Sequence, residues 1–196
     1  MFQVRIHGRG GQGVVTAAEL LSVAAFLEGR HAQAFPTFGS ERTGAPVVAF
    51  CRIDDRPIRV REPIARPDAL IVQDATLLGQ TPVFDGLGPD AYVLINTTRD
   101  PRGLGVAEEL AALRPERVRT VPATELAKEH LGRPVPNAVL LGGFAALSGV
   151  VSLGSVLAAI RQRFSGRVAL GNVAAAERAY AYVRATMKET VHAQAD

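Results

Sequence analysis

Residues 1–20 read MFQVRIHGRGGQGVVTAAEL, and the passage from strand to turn to helix within them decides the fold. The stretch FQVRI alternates and is rich in β-formers, which predicts a strand. From Val14 onward the apolar positions Val14, Ala17, Ala18, Leu21 and Ala25 follow helical spacing, with Gly29 as the stop. Between them Gly8, Gly10 and Gly13 fit G-x-G-x-x-G in the context that gives the pattern meaning, after a strand and before a helix. Glycines allow the tight turn and a close backbone approach. The free amides at the helix start, with the helix dipole, favour an anion there. Arg9 is expected to add a mobile positive charge inside the turn, and Gln12 can donate or accept a hydrogen bond. The plainer alternative is a strand–helix turn that needs glycine only for packing.

A dinucleotide site of this kind carries an acid about 20 residues on, after the second strand, for the ribose hydroxyl. Here that strand end reads HAQAFPTFG, residues 31–39, without an acid, and Glu28 falls at the end of the helix. A phosphate site of another kind is therefore favoured over a dinucleotide one.

Outward from this stretch, strands and helices alternate. HAQAF is a short strand closed by Pro36. PVVAFCRI and PIRVR read as two strands joined by the turn DDRP. DALIVQD and AYVLINT are short apolar runs that suit strands buried on both faces. GVAEELAALR is helical, RVRTVPA a strand, and ATELAKEHLG a helix with Thr124 as candidate N-cap and Gly132 as stop. AVLLGGFAALSGVV is apolar nearly all round and predicts a buried helix. LGSVLAAIRQRF is more amphipathic, and a last helix is expected from Val173 to Lys188. The pattern predicts a single α/β domain, Rossmann-like and doubly wound, with a mainly parallel sheet and some antiparallel strands from the 47–61 region. The domain is expected over residues 1–188, with 189–196 a flexible tail.

Composition narrows the class. The 196 residues, 47% hydrophobic, suffice for one well-buried domain. The net charge of +3 comes without a block of like charges, and aromatics make up only 6% with no tryptophan. Both features argue against a nucleic-acid partner. No apolar stretch reaches about 18 residues, so neither a membrane span nor a signal peptide is expected, and the expected location is the cytoplasm. The single cysteine, Cys51, lies in a strand expected to be buried, and one thiol cannot ligate an iron–sulfur cluster alone. The four histidines lack metal-ligand spacing, and no nucleophile elbow is present. Neither a metal site nor a catalytic residue is expected in this chain.

Two long motifs in order carry a family resemblance. GRGGQGVVTAAELLSVAA, residues 8–25, and FPTFGSERTGAPVVAFCRI, residues 35–53, resemble the gamma subunit of pyruvate (2-oxoacid):ferredoxin oxidoreductases. The likeness continues through PDALIVQD, PNAVLLGGFAAL and GNVAAAERAY, over nearly the whole chain. The resemblance implies a complex that oxidatively decarboxylates a 2-oxoacid, pyruvate in the first instance, forms an acyl-CoA and passes electrons to ferredoxin. Thiamine diphosphate with Mg would sit in alpha and beta subunits, and iron–sulfur clusters in a cysteine-rich, ferredoxin-type delta subunit. The gamma chain would bind coenzyme A and cover the approach to the thiamine centre, and would be inactive alone.

Carried over by position, Gly8, Gly10, Gly11, Gln12 and Gly13 match the first motif. Phe38, Gly39, Glu41, Arg42 and Gly44 match the second, with Thr43 standing where many relatives carry another basic residue. Asn137 and Asn172 match asparagines before the buried helix and the last helix. Candidate coenzyme A contacts are the amides of Gly10–Gly13 with Arg9 assisting. Arg42 would pair with phosphate or carboxylate, or else with Glu41 or a partner subunit. Glu41 is read as an interface or positioning residue, and His7 as a satisfied structural histidine. Asp74 either lines the crevice or caps a helix, and Asn137 either binds ligand or, preferentially, caps. Two other readings stand beside this one: a stand-alone nucleotide-dependent Rossmann enzyme, and an assembly scaffold with no ligand of its own.

Overall fold

Strand β1 (Phe2–Arg9) lies inside a six-stranded sheet of order β2-β3-β1-β4-β5-β6. The structure, a computed structural model, describes residues 1–37 and 43–193, with side chains described up to residue 189. β1 pairs antiparallel with β3 (Pro46–Asp54), Val4 opposite Cys51, and parallel with β4 (Ala69–Val72), Val4 opposite Ala69. β2 (His31–Pro36) is antiparallel to β3, while β5 (Tyr92–Asn96) and β6 (Val118–Val121) extend the parallel side. Side-chain alternation along β1 sends Val4 and Ile6 to one face and Arg5 and His7 to the other. All four residues of β4 are buried, as an apolar run between two parallel neighbours requires.

The two faces are covered differently. Helices α1 (Val14–Leu27), α3 (Ala123–Leu131), α4 (Asn137–Ser148), α5 (Leu153–Arg163) and α6 (Gly166–Ala193) pack on the Val4–Ile6 face. Among the described residues the opposite face meets only the short α2 (Ala107–Ala111), single 3₁₀ turns and loops, around Leu70, Val72, Leu77, Val83, Val93 and Ile95. Two buried arginines tie those loops down. Arg5 donates to the carbonyls of Val83 at 2.9 Å and of Asp85, and Arg52 to those of Val60 and Glu62. Segment 57–61 is therefore a loop, not the strand its alternation suggested: among the described residues it pairs with no strand, and the Arg52 guanidinium takes the Val60 carbonyl instead.

The α/β class, the mainly parallel sheet and the antiparallel strand in the 47–61 region all follow the sequence reading. Helix α4 is buried from Asn137 to Leu147, as its all-round apolarity implied. Gly142 lets it meet α6: a Cβ there would lie 2.0 Å from the Ala176 carbonyl oxygen. Gly132 ends α3 in the left-handed region as expected, but Thr124 is not its N-cap. Thr124 lies inside the first turn, where its amide donates to Asn96 Oδ1 and its hydroxyl accepts from Asn96 Nδ2. Helix α6 begins at Gly166 rather than Val173, because exposed Val168 and Leu170 break the apolar stripe in its first turns. Asn172 thus sits within the helix, donating to the Val168 carbonyl, and not before it. Of the expected tail, residues 189–193 continue α6, and 194–196 lie outside the described residues. Cys51 is fully buried, and burial pushes its thiol up to about 12.

A candidate anion site at the switch point of the sheet

From β1 the chain turns outward to β2 and β3 on one side, and then continues with β4, β5 and β6 on the other. The direction of winding therefore reverses between β1 and β4, and ligands of open α/β sheets bind outside the strand ends at such a point. The glycine turn follows β1 here, and Gln73 and Asp74 follow β4, with the Gln73 amide donating to the His7 carbonyl at 2.7 Å.

The turn is tied on both sides. Gly10 donates to the Ala45 carbonyl at 2.9 Å, and Gly44 donates back to the Gly10 carbonyl at 3.1 Å. The second motif's end is thereby stitched to the first. Gly13 adopts φ +70 before α1, a conformation that suits glycine. Among the described residues the amides of Gly11, Gly13, Val14, Val15 and Thr16 donate no hydrogen bond, so the start of α1 presents unspent donors.

Arg9 is not the mobile charge expected from sequence. Its Nε donates to Asp74 Oδ2 at 3.2 Å, Nη1 to the Gly44 carbonyl at 3.1 Å, and Nη2 to Thr76 Oγ1 and Gln80 Oε1 at 2.7 Å each. The guanidinium pins the turn to two other loops. Gln12 works the same way: its Oε1 accepts from the Arg9 amide and its Nε2 donates to Asp74 Oδ2, both at 2.8 Å. Asp74 is both crevice residue and cap, since its other oxygen accepts from the Thr76 amide and hydroxyl. Burial pushes the Asp74 carboxyl up, but the bonds from Thr76 and Gln12, with the Arg9 charge, outweigh that and hold it below the ordinary range.

Three further side chains converge here. Gln73 is 1% exposed, and neither its Oε1 nor its Nε2 has a hydrogen-bond partner among the described residues. A Cβ on Gly8 would stand 3.0 Å from that Oε1 and 2.6 Å from Val14 Cγ2, so glycine is required where strand, helix and Gln73 meet. Asn137, the first residue of α4, is brought against Gly13; its Oδ1 accepts from the Ala138 amide at 2.7 Å. It does not act as N-cap of α4, a position held by Pro136. His7 is buried but is not the satisfied histidine expected: among the described residues its Nε2 has no hydrogen-bond partner, and burial, then the nearby Arg5 charge, lowers it to about 4. Phe38, Gly39, Glu41 and Arg42 lie outside the described residues. Sequence reasoning missed Gln73, although it had the signal in hand: a polar residue closing the apolar run ALIV at a strand's carboxyl end.

A glycine turn at the switch point of a mainly parallel sheet, with a second motif stitched to it, defines a Rossmann-like α/β subunit. Residues 3–182 match the family model described as pyruvate ferredoxin/flavodoxin oxidoreductase. The chain belongs to this family, and within it is a gamma-type subunit. It is 46% identical over 180 residues to the pyruvate/ketoisovalerate oxidoreductases common subunit gamma of Pyrococcus furiosus, covering 92% of this chain and 96% of that one. The crystal structure of the pyruvate oxidoreductase subunit PORC from Thermotoga maritima superimposes with a TM-score of 0.79 at 34% identity, over 92% of this chain and 95% of that one. The fold also recurs, at 18% identity and a TM-score of 0.70, in 2-oxoglutarate:ferredoxin oxidoreductase from Magnetococcus marinus. There it covers 94% of this chain and 31% of that one, in a structure with 2-oxoglutarate, coenzyme A and succinyl-CoA bound. Among the described residues no helix is long and apolar enough to cross a membrane.

Proposed function

We propose that this gamma subunit receives the phosphate end of coenzyme A at the glycine turn and covers the thiamine diphosphate centre of its sibling subunits. The assembled enzyme would oxidatively decarboxylate a 2-oxoacid, pyruvate foremost, to an acyl-CoA, with ferredoxin taking the electrons. Alpha and beta subunits would hold thiamine diphosphate and Mg, and a ferredoxin-type delta subunit the iron–sulfur clusters, all in the cytoplasm. The isolated chain would be inactive. A single buried, protonated thiol does not fit cluster ligation.

One observation carries the ligand reading: the buried Gln73 side-chain amide has no partner among the described residues and lies beside the unspent backbone amides at the start of α1. A buried amide left unpaired costs about 1–3 kcal/mol, which a ligand offering both donor and acceptor atoms would offset. Phe38, Gly39, Glu41 and Arg42 would join the same ligand from the second motif, whose end is held by Gly10 and Arg9. Arg9 then supports the site from behind and does not touch the ligand.

The test is Gln73→Leu in the assembled enzyme. The expected result is a roughly tenfold higher KM for coenzyme A with kcat retained, and a free chain more stable than wild type. An unchanged KM overturns the reading. A pure assembly role is favoured by the exposure of Phe26, at 72%, and Leu170, at 70%; under that role the same variant leaves KM untouched. A stand-alone dinucleotide enzyme is disfavoured because the neighbour of β1 on the β2 side is the antiparallel β3, where a dinucleotide fold has a parallel second strand.

A further inference from the structure

Strand β6 ends the sheet, and beside it lies a cavity of about 800 Å³, within the usual size of small-molecule sites. The segment after β5 forms one wall, bringing Arg99 and Arg102. Leu110 of α2 and Val118 supply an apolar floor, and Tyr182 of α6 the far wall. The cavity thus lies past the carboxyl end of β5 and alongside the edge strand β6. The glycine turn contributes no lining residue.

The charges in it are unspent. Among the described residues, the guanidinium groups of Arg99 and Arg102 make no hydrogen bond or ion pair; only their backbone amides are engaged, with Thr97 Oγ1 and Asp100 Oδ1. A third guanidinium, that of Arg119, is buried at the base, where its Nη1 donates to the carbonyls of Pro115 and Val118 at 2.7 and 2.6 Å. Asp100 and Glu189 also line the cavity, so among the described residues its lining keeps a cationic excess of one, concentrated on the β5 side. Planar guanidinium forks bind phosphate bidentately, and the apolar floor suits a ring or sugar face.

A protein strand is a poorer occupant. β6 has only four residues, and at its start the Val118 carbonyl is taken by Arg119 and the Val118 amide by the Pro115 carbonyl. Little ladder is left to extend.

We infer that this edge cavity is a second anion site of the subunit, separate from the glycine turn, which takes a phosphorylated ligand of nucleotide size through Arg99 and Arg102.

The experiment titrates the full chain with ADP at low salt and follows backbone amides by ¹H–¹⁵N NMR. Saturable shifts are expected at residues 98–100, Arg102 and Thr120. Their apparent Kd should rise at least tenfold in the Arg99→Gln/Arg102→Gln variant and in Ala111→Trp, which fills the cavity without altering charge. Both arginines are exposed and unpaired, so the double variant should keep the wild-type circular dichroism and Tm. Shifts at residues 9–16 with their own Kd, insensitive to the double variant, report the glycine turn and leave this site distinct. The inference is overturned if residues 98–100 and Arg102 do not shift, or if their Kd is unchanged in both variants. It is equally overturned if the double variant loses co-assembly with the sibling subunits while wild type ignores ADP, because the cleft then belongs to an acidic partner segment.

Discussion

Asn137 holds its side-chain amide where a methyl group on Gly13 would have to go: a Cβ at Gly13 would lie 2.3 Å from Asn137 Nδ2. The helix that starts at Asn137 and the turn that ends at Gly13 therefore fit only without a side chain at position 13. Gly13→Ala should meet two penalties, the left-handed φ of +70 and the collision. The first costs about 1 kcal/mol and the second adds about 1–3. Adding Asn137→Ala to Gly13→Ala removes the collision and leaves the backbone term. Urea unfolding should find the double variant more stable than Gly13→Ala alone; equal or lower stability would refute the packing account.

Gly142 makes a comparable claim in the core. Its Cβ would stand 2.0 Å from the Ala176 carbonyl oxygen, so Gly142→Ala must push α4 and α6 apart. A loss of about 3 kcal/mol or more is expected. Gly154, in α5, is the control, since the nearest atom to a Cβ there is Ser152 Oγ at 3.8 Å. Gly154→Ala should stabilise by about 0.5–1 kcal/mol through helix propensity. Tm values moving in opposite directions would bear out the contrast.

His7 gives the fold a pH dependence with a definite sign. Burial, with Arg5 nearby, lowers its pKa to about 4, against about 6.5 in an unfolded chain. As pH falls, the unfolded chain takes up this proton first. The stabilisation is therefore complete above about pH 6.5 and drains away between there and pH 4, by up to about 3 kcal/mol. His7→Gln should show a smaller drop in unfolding free energy between pH 7 and pH 4.5 than wild type. An imidazole resonance of His7 that titrates near pH 6.5 in the folded chain would defeat the expectation.

The order of strands and helices is legible in the sequence because its signals are local. The strand, glycine turn and helix of residues 2–27 and the apolar runs of β4 and β5 announce themselves within a few residues. What failed to show depended on distant polar partners. PIRVR alternates like a strand, yet Arg52 claims the Val60 carbonyl and keeps the segment a loop. Thr124 stands at the start of α3 where a cap is expected, but Asn96 on β5 supplies the side-chain bonds there. Arg9 looked free because Asp74, Thr76 and Gln80, which hold it, stand far off in the chain. Polar pairs of that kind have no period from which to read them.

The Arg9–Asp74 clamp gives the last prediction. Asp74 accepts from Arg9, Gln12 and Thr76, and its carboxyl is held below the ordinary value of about 3.9. A depressed acid stabilises the fold above its unfolded pKa and loses that contribution as pH falls through the folded one. Asp74→Asn places an amide against donors, so the variant should lose about 1.5–3 kcal/mol at pH 7, the range for hydrogen bonds to a charged group. Its stability should then fall less steeply than wild type below pH 4. Arg9→Lys keeps the charge but lacks the planar fork that joins Asp74 to Gly44, Thr76 and Gln80, so it should be destabilised at pH 7 while retaining the acid-limb slope. Denaturant titrations at pH 7 and pH 3 on the three proteins decide it: if Asp74→Asn keeps the wild-type slope, the clamp does not set the acid stability of the turn.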